Sequence, residues 1–207
     1  MPAAGRLPRG RHGLSRDEVA AAQRRRLLRA TAAAMAELGY ARTPVAEILR
    51  RAGVSRETFY QQFSSKEDCF AATFEAAVGV LLGRMASAAA RRGPGDAPID
   101  RFSRALRAYL DALAAEPELA RVFLIEVYAA GPAAIERRAA DQARFADAVA
   151  EVLGARTGAR RFACEVLVAA IASLVTMRIA AGDLDGLRAL HRPLVGHARE
   201  LLAAPAG

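Results

Sequence analysis

Apolar residues recur along this chain at intervals of three and four, and glycine, proline and capping hydroxyls interrupt the runs. Ser15 with Glu18 reads as a capping box that opens a first helix. Leu27, Leu28, Thr31, Met35 and Leu38 share its inner face, and Gly39 ends it. Thr43-Pro44 predicts a second start, an N-cap followed by proline at the first helical position. Val45, Ile48 and Leu49 mark one face of this short helix, and Gly53 stops it. Ser55 caps a third helix over Arg56–Phe63. Ser65 with Asp68 opens a long fourth one, with Phe70, Phe74, Ala77, Val78, Leu81 and Met85 on one side. A linker at 91–98 follows. Helices are then expected at 99–115, 117–129, 132–154, 159–182 and 184–203, punctuated by Glu116-Pro117, Gly131-Pro132, Gly154, Gly158 and Gly182. The pattern predicts an all-α protein of about nine helices. The segment 159–182 is apolar on nearly every face and is expected to be buried on several sides.

Composition agrees with helices throughout. Alanine makes up about a quarter of the 207 residues, and strand-favouring residues are thin. Charge separates the two parts of the chain. Residues 1–68 hold 13 Lys+Arg and 7 Asp+Glu, a net of +6; residues 69–207 hold 17 and 15, a net of +2. The first third is therefore the expected polyanion-binding part. Residues 1–14, rich in Arg, Pro and Gly, are expected to be a disordered basic tail, either solvated or reaching into a minor groove. Cys69 and Cys164 form no CxxC pair, and His12, His191 and His197 have no metal-ligand spacing, so no metal and no cofactor is expected. There is no Ser-His-Asp order and no glycine-rich phosphate loop, so no catalytic residue is nominated and no enzyme is expected. The N-terminus lacks an apolar signal core, and Glu165 and Arg178 interrupt the most apolar stretch, which predicts a cytoplasmic protein without a membrane partner.

The segment Val45–Phe63 pairs two short helices across a tight turn at Gly53. With Ile48, Leu49, Phe59 and Phe63 inward, Arg56, Thr58, Tyr60, Gln61 and Gln62 remain near the surface of a helix sized for the major groove. Arginine pairs with guanine edges, glutamine with adenine edges, and threonine with a thymine methyl; tyrosine and lysine hold phosphates.

The Leu-Gly-Tyr ending of the first helix, the Ala-Gly-Val-Ser turn, the Thr-Phe-Tyr-x-x-Phe helix and the Lys-Glu opening of the next lie within Leu38–Phe70. In that combination the segment resembles the DNA-binding domain of TetR-family transcriptional regulators. The resemblance implies base contacts for Arg56, Thr58 and Gln61, phosphate or base-edge contacts for Tyr60 and Gln62, and a phosphate held by Lys66 at a helix N-terminus. It puts Thr43 and Pro44 where the family brings a hydroxyl to the DNA backbone, with Ser55 capping the reading helix. Ala46 departs from the Arg or Lys common in the family, and Gln62 from its His or Tyr.

The resulting organisation is a three-helix helix-turn-helix DNA-binding domain at 15–65 and a larger helical domain for ligand binding and dimerisation at 66–207. The resemblance implies a homodimer. The last two helices pair with their copies as a four-helix bundle, and double-stranded operator DNA and a small-molecule effector are the partners. Candidate ligand contacts are Phe102, Leu106, Tyr109, Phe123, Glu126, Tyr128, Phe145 and Arg178. Glu126 shares a face with Leu119 and Phe123, so its carboxylate needs either a structural partner or a polar ligand group. The function expected is a repressor released from its operator by an effector. The alternative is a helical lipid- or metabolite-binding protein without DNA regulation.

Overall fold

The computed structural model describes residues 15–91 and 96–203, with the side chains of 202 and 203 left aside. The expectations for the tail at 1–14 and the middle of the 91–98 linker fall outside the described residues. Among the described residues every regular element is helical. The order is α1 (Arg16–Leu38), α2 (Val45–Ala52), α3 (Arg56–Gln62), α4 (Lys66–Ala90), α5 (Pro98–Ala115), α6 (Pro117–Leu124), a 3-10 turn (Glu126–Ala130), α7 (Pro132–Leu153), α8 (Gly158–Ala181), α9 (Leu184–Ala189) and α10 (His191–Ala203).

Local chemistry sets these boundaries. Ser15 and Glu18 close the reciprocal capping box of α1. Ser55, Ser65 and Thr157 each accept the backbone N–H three residues on and so cap α3, α4 and α8. Gly53 takes the left-handed conformation (φ 62°, ψ 45°) that turns the chain from α2 to α3.

Three boundaries differ from the sequence-based expectation. Pro44, not Thr43, is the N-cap of α2. Thr43 is fully buried, and its hydroxyl donates to the carbonyls of Ala34 (3.3 Å) and Gly39 (2.8 Å). The predicted 117–129 helix ends at Leu124, and the tighter 3-10 turn that follows buries Val127 while presenting Glu126 to the end of α1. The predicted 184–203 helix breaks at Leu190 into α9 and α10. Pro193 has no N–H to return to the Ala189 carbonyl, and its ring crowds that carbonyl.

Two cores result. The N-terminal core joins Leu27, Met35, Ile48, Phe59 and Phe63 of α1–α3 and their flanks to Cys69, Phe70, Phe74 and Val78 of α4, with Val122 and Val127 inserted from α6 and the 3-10 turn. The second core fills the space among α5, α7, α8 and the last two helices with Phe102, Leu106, Leu110, Leu153, Leu167 and Val175. Helix α4 belongs to both regions and leads straight from the first to the second. Helix α8 buries only one stripe, Cys164, Leu167, Val168, Ile171, Val175 and Ile179. Its other side leaves Phe162 (65% exposed), Val166 (50%) and Met177 (64%) in solvent, whereas burial on several sides was expected. By length and composition α4 and α8 could each cross a bilayer.

Candidate nucleic-acid interface and ligand cavity

Phe59 and Phe63, one turn apart, anchor α3 against the rest of the N-terminal domain, and both are at most 2% exposed. Glu57, Tyr60 and Gln61 consequently turn away from the core and are exposed, as is Arg56 at the helix start; Thr58 and Gln62 are half-buried beside them. Ser55 Oγ accepts the Thr58 N–H and lies 3.0 Å from the Thr58 hydroxyl. Gln61 donates to the Glu57 carboxylate at 3.3 Å, so both are preset on one face. Pro44 and Ala46 are exposed at the start of α2.

Basic side chains fasten this reader from behind. Arg24 donates to the Gln62 carbonyl at 3.3 Å and lies over the Phe63 ring at 4.5 Å. Arg26 donates to the Gly53 carbonyl at 3.1 Å. Both satisfy carbonyls at helix C-termini, where positive charge is favourable. Glu47 draws Arg50 and Arg51 together (2.6 Å each), and those two hydrogen bonds hold its carboxyl down at about 2. Lys66 turns inward as well. Its ammonium donates to the Tyr40 carbonyl at 3.2 Å and lies 4.3 Å from the centre of the Tyr40 ring. Two positions expected at the DNA backbone are thus differently employed: Thr43 is buried and donates to carbonyls at and just after the end of α1, and Lys66 is tied to the loop after α1.

A cavity of about 860 Å³ lies between α4, α5 and α7, bordered by α6 and α8 and reaching α1. Its walls are mostly Ala, Leu, Val and Phe, the composition of small-molecule sites. Phe102, Leu106, Tyr109, Phe123 and Phe145 all line it. Burial pushes the Tyr109 hydroxyl up to about 12. Glu126, Tyr128 and Arg178 do not line it. Tyr128 is 54% exposed and receives a hydrogen bond from Arg138 at 3.0 Å, and Arg178 reaches past the end of α8 to Asp183 at 2.7 Å. Sequence reasoning missed Arg25 and Arg29 of α1 and Arg138, Asp141 and Gln142 of α7, which are in the cavity wall. The i, i+3, i+4, i+7 spacing of Arg138, Asp141, Gln142 and Phe145 was readable, but nothing marked that face as inward.

Residues 27–73 match the family model described as bacterial regulatory proteins, tetR family. That match spans the end of α1, the α2–α3 pair and the first turns of α4, the unit just described. The N-terminal domain is thus similar to the DNA-binding domains of that family. No curated protein matches the chain by sequence. Solved structures of the same fold include the fatty acid degradation regulator FadR from Bacillus halodurans (20% identity, 88% of this chain and 95% of that one, TM-score 0.73). FadR from Bacillus subtilis, in complex with stearoyl-CoA, gives 18% identity over 88% and 99% with a TM-score of 0.69. A TetR-like regulator from Rhodococcus sp. RHA1 gives 21% over 93% and 100% with a TM-score of 0.65. At these identities the likeness is one of fold.

Between the N-terminal domain and the cavity stands Glu126. Its Oε2 accepts the Tyr40 N–H at 2.6 Å, and Arg121 approaches its other oxygen at 3.9 Å. Gly39 suits this position because its φ is +82°; a Cβ there would also press on the flexible end of Glu126, 2.9 Å from Oε2. Leu119 and Phe123 of α6 line the cavity, while Val122 and Val127 are buried in the N-terminal core. One short segment thus touches the cavity on one side and clamps the end of α1 on the other. Tyr40 also donates through its hydroxyl to Glu67 at 3.0 Å, so the loop after α1 is held from α4 too.

Proposed function

We propose that the chain acts as a dimeric transcriptional regulator that reads a two-fold-symmetric operator with α3 and releases it when an elongated apolar effector fills the cavity. The exposed side of α3 carries the reading: Arg56, Tyr60 and Gln61 face outward on a helix fixed to its domain by Phe59 and Phe63. The match of residues 27–73 to the tetR-family model supports the same role, and such regulators act by binding, so no chemical step is assigned. Thr58 and Gln62 complete the reading face, and Pro44 and Ser55 flank it. Thr43 and Lys66 serve by shaping the support.

A second copy has a place to dock. Phe162, Val166, Ala170, Leu174 and Met177 form one apolar stripe down α8 that this chain leaves uncovered. Pairing α8 and α10 with their copies buries that stripe and sets the spacing of the two reading helices. The cavity suits a long apolar molecule. Its wall follows α5 from Arg101 to Leu113, about 18 Å at 1.5 Å per residue. That FadR from Bacillus subtilis was solved with stearoyl-CoA supports a chain-like ligand. Filling the Leu119–Phe123 end displaces α6, and the Glu126 clamp passes the shift to α1. Coupling of about 1–3 kcal/mol changes operator affinity several-fold to over a hundred-fold.

The test is fluorescence anisotropy and footprinting on DNA flanking the protein's own gene, with stearoyl-CoA as the effector probe. A symmetric footprint is expected, weakened by Arg56→Ala or Gln61→Ala by about 1–3 kcal/mol per lost base contact. Absence of any footprint at low salt, with the probe still bound, would favour a ligand-binding protein without DNA regulation.

A further inference from the structure

The cavity wall is mostly apolar; its charged groups include Arg25 and Arg29 of α1, Arg84 of α4 and Arg101 of α5, and a polar cluster runs along one side of α7. Arg138, Asp141, Gln142 and Phe145 share a helical face and all line the cavity. Tyr109 of α5 meets Phe145 edge-on at 6.2 Å and lines it too. Asp141 is 5% exposed and is the one buried acid among the described residues. Its Oδ1 accepts from Arg144 at 2.8 Å, while Oδ2 has no hydrogen-bond partner.

Native proteins pair nearly all their buried polar atoms, and an exception in the wall of a ligand cavity asks for a ligand atom. The neighbouring groups do not meet that need. Arg144 is shared with Glu75 of α4 at 3.2 Å, and Arg138 is turned to the Tyr128 hydroxyl and the Phe123 carbonyl. Burial also raises the Asp141 carboxyl above the usual carboxylate range against the pull of Arg144, which is the environment of an acceptor short of donors.

We infer that the effector carries a hydrogen-bond donor, a hydroxyl or an ammonium, on its apolar body, and that Asp141 Oδ2 receives it beside Tyr109 and Gln142. This rests on the effector-cavity reading above. A hydrocarbon or an ester at this position leaves Oδ2 unpaired, and a carboxylate meets a like charge. An occupant with a donor satisfies Oδ2 and still places its chain against Leu106, Leu113 and Phe123.

The inference is tested by calorimetric titration of the full chain with four probes of one chain length: 1-decanol, decylammonium, methyl decanoate and decanoate. At least one of the two donor probes is expected to bind about tenfold or more tighter than the ester, since a hydrogen bond to a charged group is worth at least that factor. Which donor leads tells a neutral head from a cationic one. Asp141→Asn is nearly isosteric. Its carbonyl keeps the Arg144 hydrogen bond and its NH₂ takes the place of Oδ2, so the ranking should invert in favour of the ester. Ester or decanoate binding as well as both donors in the wild-type chain would overturn the inference, as would an unchanged ranking in a folded Asp141→Asn. Stearoyl-CoA binding without any donor advantage removes this inference and leaves the effector cavity standing; no binding by any probe removes both.

Discussion

The N-terminal domain and the helical domain behind it differ in how completely they satisfy themselves. In the first, Leu27, Met35, Ile48 and Phe59 are fully buried, and the polar groups behind the reading helix have partners within the domain. Arg24, Arg26, Thr43 and Lys66 each donate to a backbone carbonyl. In the second, an apolar cavity runs through the middle, a carboxylate oxygen of Asp141 lacks a partner, and large apolar side chains of α8 face solvent. A domain closed in this way can present a surface of fixed shape. A domain with open apolar and polar sites changes when something fills them, which a sensor requires.

The contrast can be broken first at the cores. Phe59→Ala should cost about 3–5 kcal/mol by emptying a close-packed site. Leu113→Ala, at the half-buried cavity wall, should cost clearly less, because that side chain already borders open space. Denaturant midpoints at equal slope measure both, and equal losses would mean that the two regions are packed alike. Replacing both Phe162 and Met177 by Asp should leave the fold intact and yield a monomer by sedimentation, with operator affinity falling by at least about tenfold. A stable dimer in that variant would show that the α8 stripe is not the seam.

Smaller effects sharpen the link between the regions. Glu126→Ala removes the acceptor of the Tyr40 N–H. Operator binding by the free protein should persist, while the effector-induced loss should shrink by about 0.5–2 kcal/mol. An undiminished response would place the coupling in α4 alone. The smallest effect expected is electrostatic. Glu47 has its folded carboxyl held near 2 against an ordinary 4.5 by Arg50 and Arg51. A depressed folded value stabilises above the unfolded one and loses that contribution as pH falls. Stability should therefore decline as pH drops from 4.5 toward 2, and Glu47→Gln should flatten that part of the profile in acid titrations followed by circular dichroism.

Much of this contrast is written in local sequence. Capping serines, the Gly53 turn and the spacing of Phe59 and Phe63 are short-range signals, so α1 to α4 and the outward set on α3 could be read directly. The cavity was harder. Phe102, Leu106, Tyr109, Phe123 and Phe145 were legible as apolar positions on helices, but so are core residues, and periodicity does not tell a packed face from a hollow one. Glu126 looked like a stray charge on an apolar helix face because the unwinding after Leu124, which turns it toward Tyr40, has no local signature. Asp141 lies on a helix that reads as polar, and its burial depends on distant elements packing around α7.

By itself the amino-acid order settled the helical class, the reading motif, the caps and the uneven charge, because each depends on residues within a few positions of one another. Only the tertiary structure decided where Lys66, Thr43 and Glu126 place their hydrogen bonds, which helical faces enclose empty space, and that Asp141 lies buried in the wall of that space. Those outcomes depend on which distant surfaces meet, and the free energy of that meeting is a property of the assembled helices rather than of any one stretch of chain.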